Sequence, residues 1–182
     1  MDALLEGNAR FAQGTAAIER AELALGQEPF AVILGCSDSR VPVETVFDRG
    51  PGEIFVVRVA GNVVSDEVVA SVEYAVEVLK TPLVVVLGHS GCGAVGAAIE
   101  CVRSGAEFPG YIQELVEGIV PAAEATRDRD SEWYTAAIEE NVVRSARALE
   151  EQSTILAQAV RDRRIAIRGA VYDLHAGSVR VL

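Results

Sequence analysis

The stretch that decides the fold is LVVVLGHSGC at residues 83–92, in which five consecutive apolar residues lead into a glycine-containing loop. An apolar run of this length, bounded by turn residues, is typical of a strand that is buried on both faces. Two further runs share the pattern: residues 30–34 end at Gly35, and residues 54–57 form the third run. The three runs predict the interior strands of a mainly parallel sheet.

The segments around these runs have helical periodicity. Residues 66–80 carry one apolar helical face and stop at Thr81-Pro82, where proline ends a helix. Further elements are predicted as helical segments at residues 3–13, 92–104, 111–125, 131–150 and 153–163, with breaks at Pro121 and around residues 128–130, and as strands at residues 165–171 and 178–182. This alternation predicts one α/β domain over residues 1–182, with a mainly parallel central sheet, flanking helices, an N-terminal helical arm (residues 1–25) and a short closing strand.

The composition limits the classes of function. Among 182 residues, 16 basic and 27 acidic side chains give a formal net charge of -11. This charge repels nucleic acid phosphates and anionic membrane surfaces. No apolar run approaches the roughly 20 residues that span a bilayer, and the acidic start MDALLE lacks the cations of a signal peptide. We therefore expect a cytoplasmic protein that binds neither nucleic acid nor membrane.

Soft metal ligands are scarce in this chain, which has three cysteines and two histidines. Cys36 follows the first apolar run, and His89 and Cys92 follow the third. Because ligands of parallel α/β sheets bind at the carboxyl ends of the strands, we expect these three side chains to meet there. Two thiolates and an imidazole are a zinc ligand set, and three protein ligands with one open position are typical of a catalytic site. Asp38 is the candidate for the fourth position.

These candidates also have simpler interpretations. Cys36 and Cys92, taken singly, are compatible with ordinary buried thiols, because free cysteine is among the most buried residue types. Asp38 and Arg40 are compatible with a loop salt bridge that has no catalytic part. Cys101 is interpreted as a packing residue of its helix.

The motifs CSDSRVP at residues 36–42 and GHSGCG at residues 88–93 resemble those of the β-class carbonic anhydrases. The similarity extends from GNARF at residues 7–11 through FVVRVAGN at residues 55–62 to Tyr172-Asp173. The resemblance implies a zinc enzyme that reversibly hydrates CO2 to bicarbonate and a proton by attack of zinc-bound hydroxide.

The resemblance also implies roles for single residues. Zinc is expected on Cys36, His89 and Cys92, with Asp38 and Arg40 as a hydrogen-bonded pair beside the metal. In the family, this aspartate accepts the hydrogen bond of the attacking oxygen, or it swings in and binds zinc directly in a closed, inactive site. The sequence leaves both states open.

The family's substrate pocket has counterparts in this chain. Gln27 corresponds to the glutamine that hydrogen-bonds bicarbonate, and Phe55 and Tyr74 correspond to aromatic residues that line the pocket across a dimer interface. Gly93, at the end of the second motif, is assigned to the same pocket. These matches favour the open-site, plant-like branch of the family and imply a homodimer or homotetramer.

A regulatory bicarbonate site of the other branch has two counterparts here, Arg58 and Tyr172, but its tryptophan is replaced by Ile33. We therefore expect no such site. Two rival functions remain: hydrolysis of CS2 or COS by the same kind of zinc centre, and a non-enzymatic domain with a fixed, fully ligated zinc ion.

Overall fold

The computed structural model of the protein describes residues 1–13 and 25–182. Its central sheet has five strands in the order β2-β1-β3-β4-β5. The first four are parallel, and β5 runs antiparallel to β4. The strands are β1 (Ala31–Gly35), β2 (Ile54–Arg58), β3 (Leu83–His89), β4 (Ala166–Asp173) and β5 (Ser178–Val181). The predicted α/β class, the mainly parallel sheet and the short closing strand are confirmed.

Eight α-helices accompany the sheet in the described residues. They are α1 (Asp2–Gln13), α2 (Val43–Val46), α3 (Asp66–Glu77), α4 (Gly93–Ser104), α5 (Tyr111–Glu117), α6 (Val120–Ala125), α7 (Trp133–Gln152) and α8 (Thr154–Arg161). None of these helices combines the length and the apolar character that crossing a bilayer requires. Helix α1 matches the start of the predicted arm, and residues 14–24 of that arm lie outside the described residues.

The predicted helical segment at residues 111–125 is divided into α5 and α6, as the break expected at Pro121 indicates, although the division begins at Gly118. Gly118 follows α5, and Pro121 stands in the first turn of α6. Proline has no backbone N–H and suits only the start of a helix, so one continuous helix does not form there. The short α2 and a 3-10 turn at Ala60–Asn62 were not predicted, because neither is long enough to show a period.

The sheet is covered on both faces. Val32 and Leu34 of β1 point into an apolar cluster with α3, α7 and α8, whereas Ile33 points into a second cluster with α1 and α2. The alternation follows from the two-residue period of a strand. Both faces of β1 and β3 are therefore buried, as their continuous apolar sequence predicts. The same expectation is wrong for residues 54–57, because β2 is the edge strand of the sheet and is only partly buried.

Helix α7 lies unusually close to the carboxyl end of the sheet. A Cβ atom at Gly88 would lie 2.5 Å from Val142 Cγ2, and one at Gly169 would lie 2.8 Å from Val142 Cγ1. Only glycine leaves room for this approach. As a result, polar side chains of α7 reach the segments that follow β2 and β3.

Helix α1 is fastened to the rest of the molecule by Asn8, which is 5% exposed. Its Nδ2 atom donates hydrogen bonds to Val46 O at 3.0 Å and to Gly177 O at 2.8 Å. Its Oδ1 atom accepts a hydrogen bond from Val179 N at 3.0 Å. One side chain thus joins the N-terminal helix to α2 and to the β4–β5 hairpin.

Candidate metal centre

The loops after β1 and β3 bring three candidate ligands together. The ligand atoms of Cys36, His89 and Cys92 all lie within 4.8 Å of one another, and all three residues are buried. Strands β1 and β3 are direct neighbours with Gly35 opposite Leu87, so the two loops emerge side by side. The structure therefore assembles the expected cluster at the carboxyl edge of the sheet.

The imidazole of His89 has one nitrogen, Nε2, available to bind a metal. Its Nδ1 atom is 3.0 Å from Ser90 O, and a carbonyl oxygen only accepts, so Nδ1 carries the proton. Its Nε2 atom is buried and has no hydrogen-bond partner in the structure. A buried polar atom without a partner is costly, and a metal ion bonded to Nε2 removes that cost. Two thiols and this free lone pair fit Zn²⁺.

The electrostatics of the cluster favour a thiolate. A hydrogen bond from Cys92 is the main cause that lowers the pKa of Cys36, and His89 and the Gly61 N–H act in the same direction. The contact with Cys36, together with burial, raises the pKa of Cys92. Burial alone lowers the pKa of His89, but the neighbouring sulfur of Cys36 and its charge outweigh this effect, and the pKa is raised. The cluster therefore favours a thiolate, which is the form that binds metal.

A clamped carboxylate lies beside the cluster. Arg40 donates from Nε to Asp38 Oδ1 at 2.9 Å and from Nη2 to Asp38 Oδ2 at 2.7 Å, and the Arg40 backbone N–H also bonds Oδ1. These contacts hold the pKa of Asp38 well below its usual range. Oδ2 lies 3.9 Å from His89 Nε2. Arg40 Nη2 also bonds Gly91 O at 3.1 Å, which ties the first motif to the loop of the second.

The sequence did not predict the hydrogen bonds that other residues make to the backbone and sulfur atoms around the ligands. Arg58 donates to Cys36 O at 2.9 Å and to Asp38 O at 2.6 Å. The Gly61 N–H donates to Cys36 Sγ at 3.2 Å. Both residues lie in the segment FVVRVAGN, whose similarity to the family was the available signal. Two more contacts come from α7, where Tyr134 Oη donates to Cys92 O at 2.7 Å and Asn141 Nδ2 donates to Gly61 O at 2.9 Å.

The predicted substrate residues lie in different places. Phe55 and Tyr74 contact each other, with ring centroids 6.3 Å apart. Phe55 pairs with Val32, which precedes Cys36 by four residues, so it lies about 13 Å back from the edge that carries the cluster. Gln27 is exposed in the segment before β1. Gly93 is exposed at the start of α4, and a Cβ atom there would meet nothing within 4 Å.

A parallel α/β sheet with two thiols and an imidazole at its carboxyl edge defines a zinc-type metalloenzyme. Comparison with known proteins identifies the family of metalloenzymes. The family model described as carbonic anhydrase matches residues 31–179. The chain belongs to the carbonic anhydrase family, in its β-class. This family is zinc-dependent, and Cys36, His89 and Cys92 are the residues that fit the ion.

Individual relatives agree with this assignment. Carbonic anhydrase 2 of Mycobacterium tuberculosis strain H37Rv is 42% identical over 182 residues, covering 96% of this chain and 87% of the relative. Carbonic anhydrase of Mycolicibacterium smegmatis is 41% identical over 189 residues, covering 98% and 90%. Among solved structures, a tetrameric β-carbonic anhydrase from Sordaria macrospora aligns with a TM-score of 0.80 at 27% identity, covering 88% of this chain and 84% of that one.

Proposed function

We propose that the protein catalyses the reversible hydration of CO2 to bicarbonate and a proton, with zinc held by Cys36, His89 and Cys92. The observation that carries this proposal is the buried cluster of ligands, in which His89 Nε2 has no partner, beside an ionised carboxylate. When bound, zinc acts as a Lewis acid that lowers the pKa of a water molecule and so supplies a nucleophile at neutral pH.

Asp38 orients the attack in this proposal. An ionised carboxylate only accepts hydrogen bonds, so Asp38 takes the hydrogen bond of the attacking oxygen and leaves a lone pair of that oxygen directed at the carbon of CO2. Arg40 keeps the carboxylate ionised and fixed, because its fork holds both oxygens. Asp38 and Arg40 thus act on the substrate side of the metal.

We further propose that the site belongs to the open, plant-like branch. The supporting observation is that Arg40 holds both oxygens of Asp38, which leaves the fourth metal position for substrate. A closed site requires Asp38 Oδ2 to exchange its bond with Arg40 for one with the metal. Nε and Nη2 of Arg58 donate to backbone carbonyls, and Tyr172 is buried, which supports the expectation that there is no regulatory bicarbonate site.

The pocket is proposed to be completed by a second copy of this chain. Gln27, Phe55, Tyr74 and Gly93 are its substrate-contacting residues. Tyr74 is 49% exposed, and the Phe55–Tyr74 pair is distant from the metal cluster of its own chain. Both observations are consistent with a pair that lines the pocket of a partner subunit. The tetrameric relative from Sordaria macrospora supports a homodimer or homotetramer.

Mixed oligomers test this shared pocket. Cys92→Ala abolishes the metal site of its own subunit, and Tyr74→Ala impairs the pocket that Tyr74 lines. If Tyr74 serves the partner, a hybrid of the two variants contains one wild-type site and regains CO2 hydration that neither variant has alone. A hybrid no more active than the average of its parents would assign Tyr74 to its own subunit.

Asp38→Asn tests the catalytic assignment. The amide has nearly the same shape, so zinc content should stay at the wild-type level, whereas stopped-flow CO2 hydration should fall about 10- to 100-fold, as for other groups that orient around a metal. Cys92→Ala is the matched comparison and should lose zinc and activity together. Wild-type turnover in Asp38→Asn would remove Asp38 from the mechanism, and full zinc occupancy in Cys92→Ala would remove the ligand set.

A cytoplasmic location is part of the proposal. The three cysteines are free, and thiols persist in reducing compartments. Fractionation of the producing cells, with a disulfide-bonded periplasmic or secreted marker as comparison, checks this assignment.

A further inference from the structure

One face of α7 contacts the backbone around both thiol ligands. Tyr134, Ile138 and Asn141 are spaced by four and three residues, so they share that face. Tyr134 Oη donates to Cys92 O at 2.7 Å, and Asn141 Nδ2 donates to Gly61 O at 2.9 Å. Asn141 is 3% exposed. An amide at this depth needs a reason, because its burial is unfavourable unless its hydrogen bonds are made.

Packing alone does not explain Asn141. Helix α7 is already held to the sheet by Val142, whose methyl groups lie where Gly88 and Gly169 lack side chains. An apolar side chain of similar volume at position 141 would serve that packing equally well. The distinctive property of Asn141 is its donor, which is directed at one carbonyl oxygen.

That carbonyl belongs to a residue whose backbone needs support. Gly61 has φ 68° and ψ 13°, a left-handed conformation that glycine adopts freely but does not favour over others. A Cβ atom at Gly61 would lie 2.5 Å from Ile119 Cδ1, and the residue carrying it would have to adopt a positive φ, so any other residue is disfavoured here. The Gly61 N–H nevertheless must keep its direction, because it donates to Cys36 Sγ at 3.2 Å.

We propose that Asn141 is a positioning residue of the metal centre. By holding Gly61 O, it restrains the backbone dihedral angles of Gly61 and so keeps the Gly61 N–H directed at Cys36 Sγ. This hydrogen bond sets the direction and the donor strength of the Cys36 thiolate. The inference rests on metal ligation by Cys36. An N–H bonded to sulfur withdraws charge from it, and in a buried site this effect is strong. Partners that orient metal ligands in this way contribute to metal affinity.

The test is Asn141→Leu, which removes the donor and keeps the volume. In protein loaded with Co²⁺ in place of zinc, the thiolate-to-metal charge-transfer band should move to longer wavelength, because Cys36 Sγ loses the N–H that stabilises its charge. Zinc affinity, measured by competition with a chelator, should fall about 10-fold, the lower end of the range for groups that support ligands indirectly.

Val142→Ala is the matched control. It removes buried packing from the next residue of the same helix without touching Gly61 O, so it should lower stability and leave the Co²⁺ band and the zinc affinity at their wild-type values. Asn141→Ala carries the same spectroscopic expectation as Asn141→Leu and replaces it if the leucine variant does not fold.

The possible results distinguish an error in the ligand set from an error in the role of Asn141. A wild-type Co²⁺ protein without a thiolate charge-transfer band would overturn the ligand set itself. A wild-type band that is unchanged in a folded Asn141 variant, with unchanged zinc affinity, would overturn the role of Asn141 and leave the ligand set standing. Equal effects in Val142→Ala and the Asn141 variant would reduce Asn141 to a packing residue.

Discussion

Replacing Asn8 by leucine should detach the N-terminal helix from its two supports. The side chain of Asn8 makes three hydrogen bonds, to Val46 O, to Gly177 O and from Val179 N, at 2.8 to 3.0 Å. Leucine has a similar volume and makes none of them. The Asn8→Leu change therefore isolates the hydrogen bonds from the packing of α1.

The expected loss follows from this count. A hydrogen bond in a folded protein contributes about 1 kcal/mol net, so the three together amount to about 3 kcal/mol. For a chain of this size, each kcal/mol lowers the midpoint of thermal unfolding by about 2–4 °C, which gives about 6–12 °C. Leucine leaves the buried Val46 O without a partner, which alone costs about 1–3 kcal/mol. The other two bonds are only partly buried, so water can replace part of them.

Urea unfolding of the zinc-loaded proteins at one protein concentration measures the difference. The matched control is Gln13→Leu, an exposed position on the same helix, which should change the free energy of unfolding by less than about 0.5 kcal/mol. A loss in Asn8→Leu no larger than in this control would refute the reasoning, because the three bonds would then contribute nothing beyond what water supplies.

Three further predictions concern packing, charge and metal. Gly88→Ala should destabilise the protein by about 1–3 kcal/mol in urea unfolding, because the new Cβ atom would lie 2.5 Å from Val142 Cγ2; unchanged stability would show that α7 can move away. Arg164 lowers the pKa of Glu77 from its ordinary 4.5, so the ion pair stabilises the fold above pH 4.5. The difference in free energy of unfolding between wild type and Arg164→Gln should therefore shrink as the pH falls below 4.5, and a difference that grows would contradict this prediction. Chelation of zinc should lower the thermal midpoint, and zinc restored at about 100 times its dissociation constant should return about 2.7 kcal/mol; an unmoved midpoint would count against the buried ligand set.

The sequence predicted the parts of the molecule that repeat a pattern or carry unusual chemistry. Continuous apolar runs identified β1 and β3, because burial on both faces leaves no alternation. The run of β2 has the same pattern, but its burial was overestimated, because an apolar sequence does not distinguish an edge strand from a central one. Cys36, His89 and Cys92 were grouped correctly because parallel strands open at one edge and soft ligands are rare in this chain. The boundary between α5 and α6 was less clear, since Gly118 and Pro121 interrupt a pattern whose apolar face continues across them.

The contacts behind the ligands could not be predicted from one sequence. Asn141 is one polar residue among many on a long helix, and its role depends on how closely Gly88 and Gly169 let that helix approach the sheet. Gly61 gives a hint by lying in a segment similar to the family, but its hydrogen bond to Cys36 is a property of one backbone conformation. Such contacts arise from tertiary packing, which periodicity does not encode.

The placement of the ligands on two neighbouring strands has a consequence for how the protein matures. Cys36 is synthesised before the whole of α3 and β3, His89 is the last residue of β3, and Cys92 follows it. No N-terminal fragment that ends before β3 contains more than one of the three ligands, so a growing chain cannot retain the ion by this site until its central strands have paired. The complete ligand set therefore becomes available only once β3 has been synthesised, and an ion bound by all three ligands reports that β1 and β3 have been brought together.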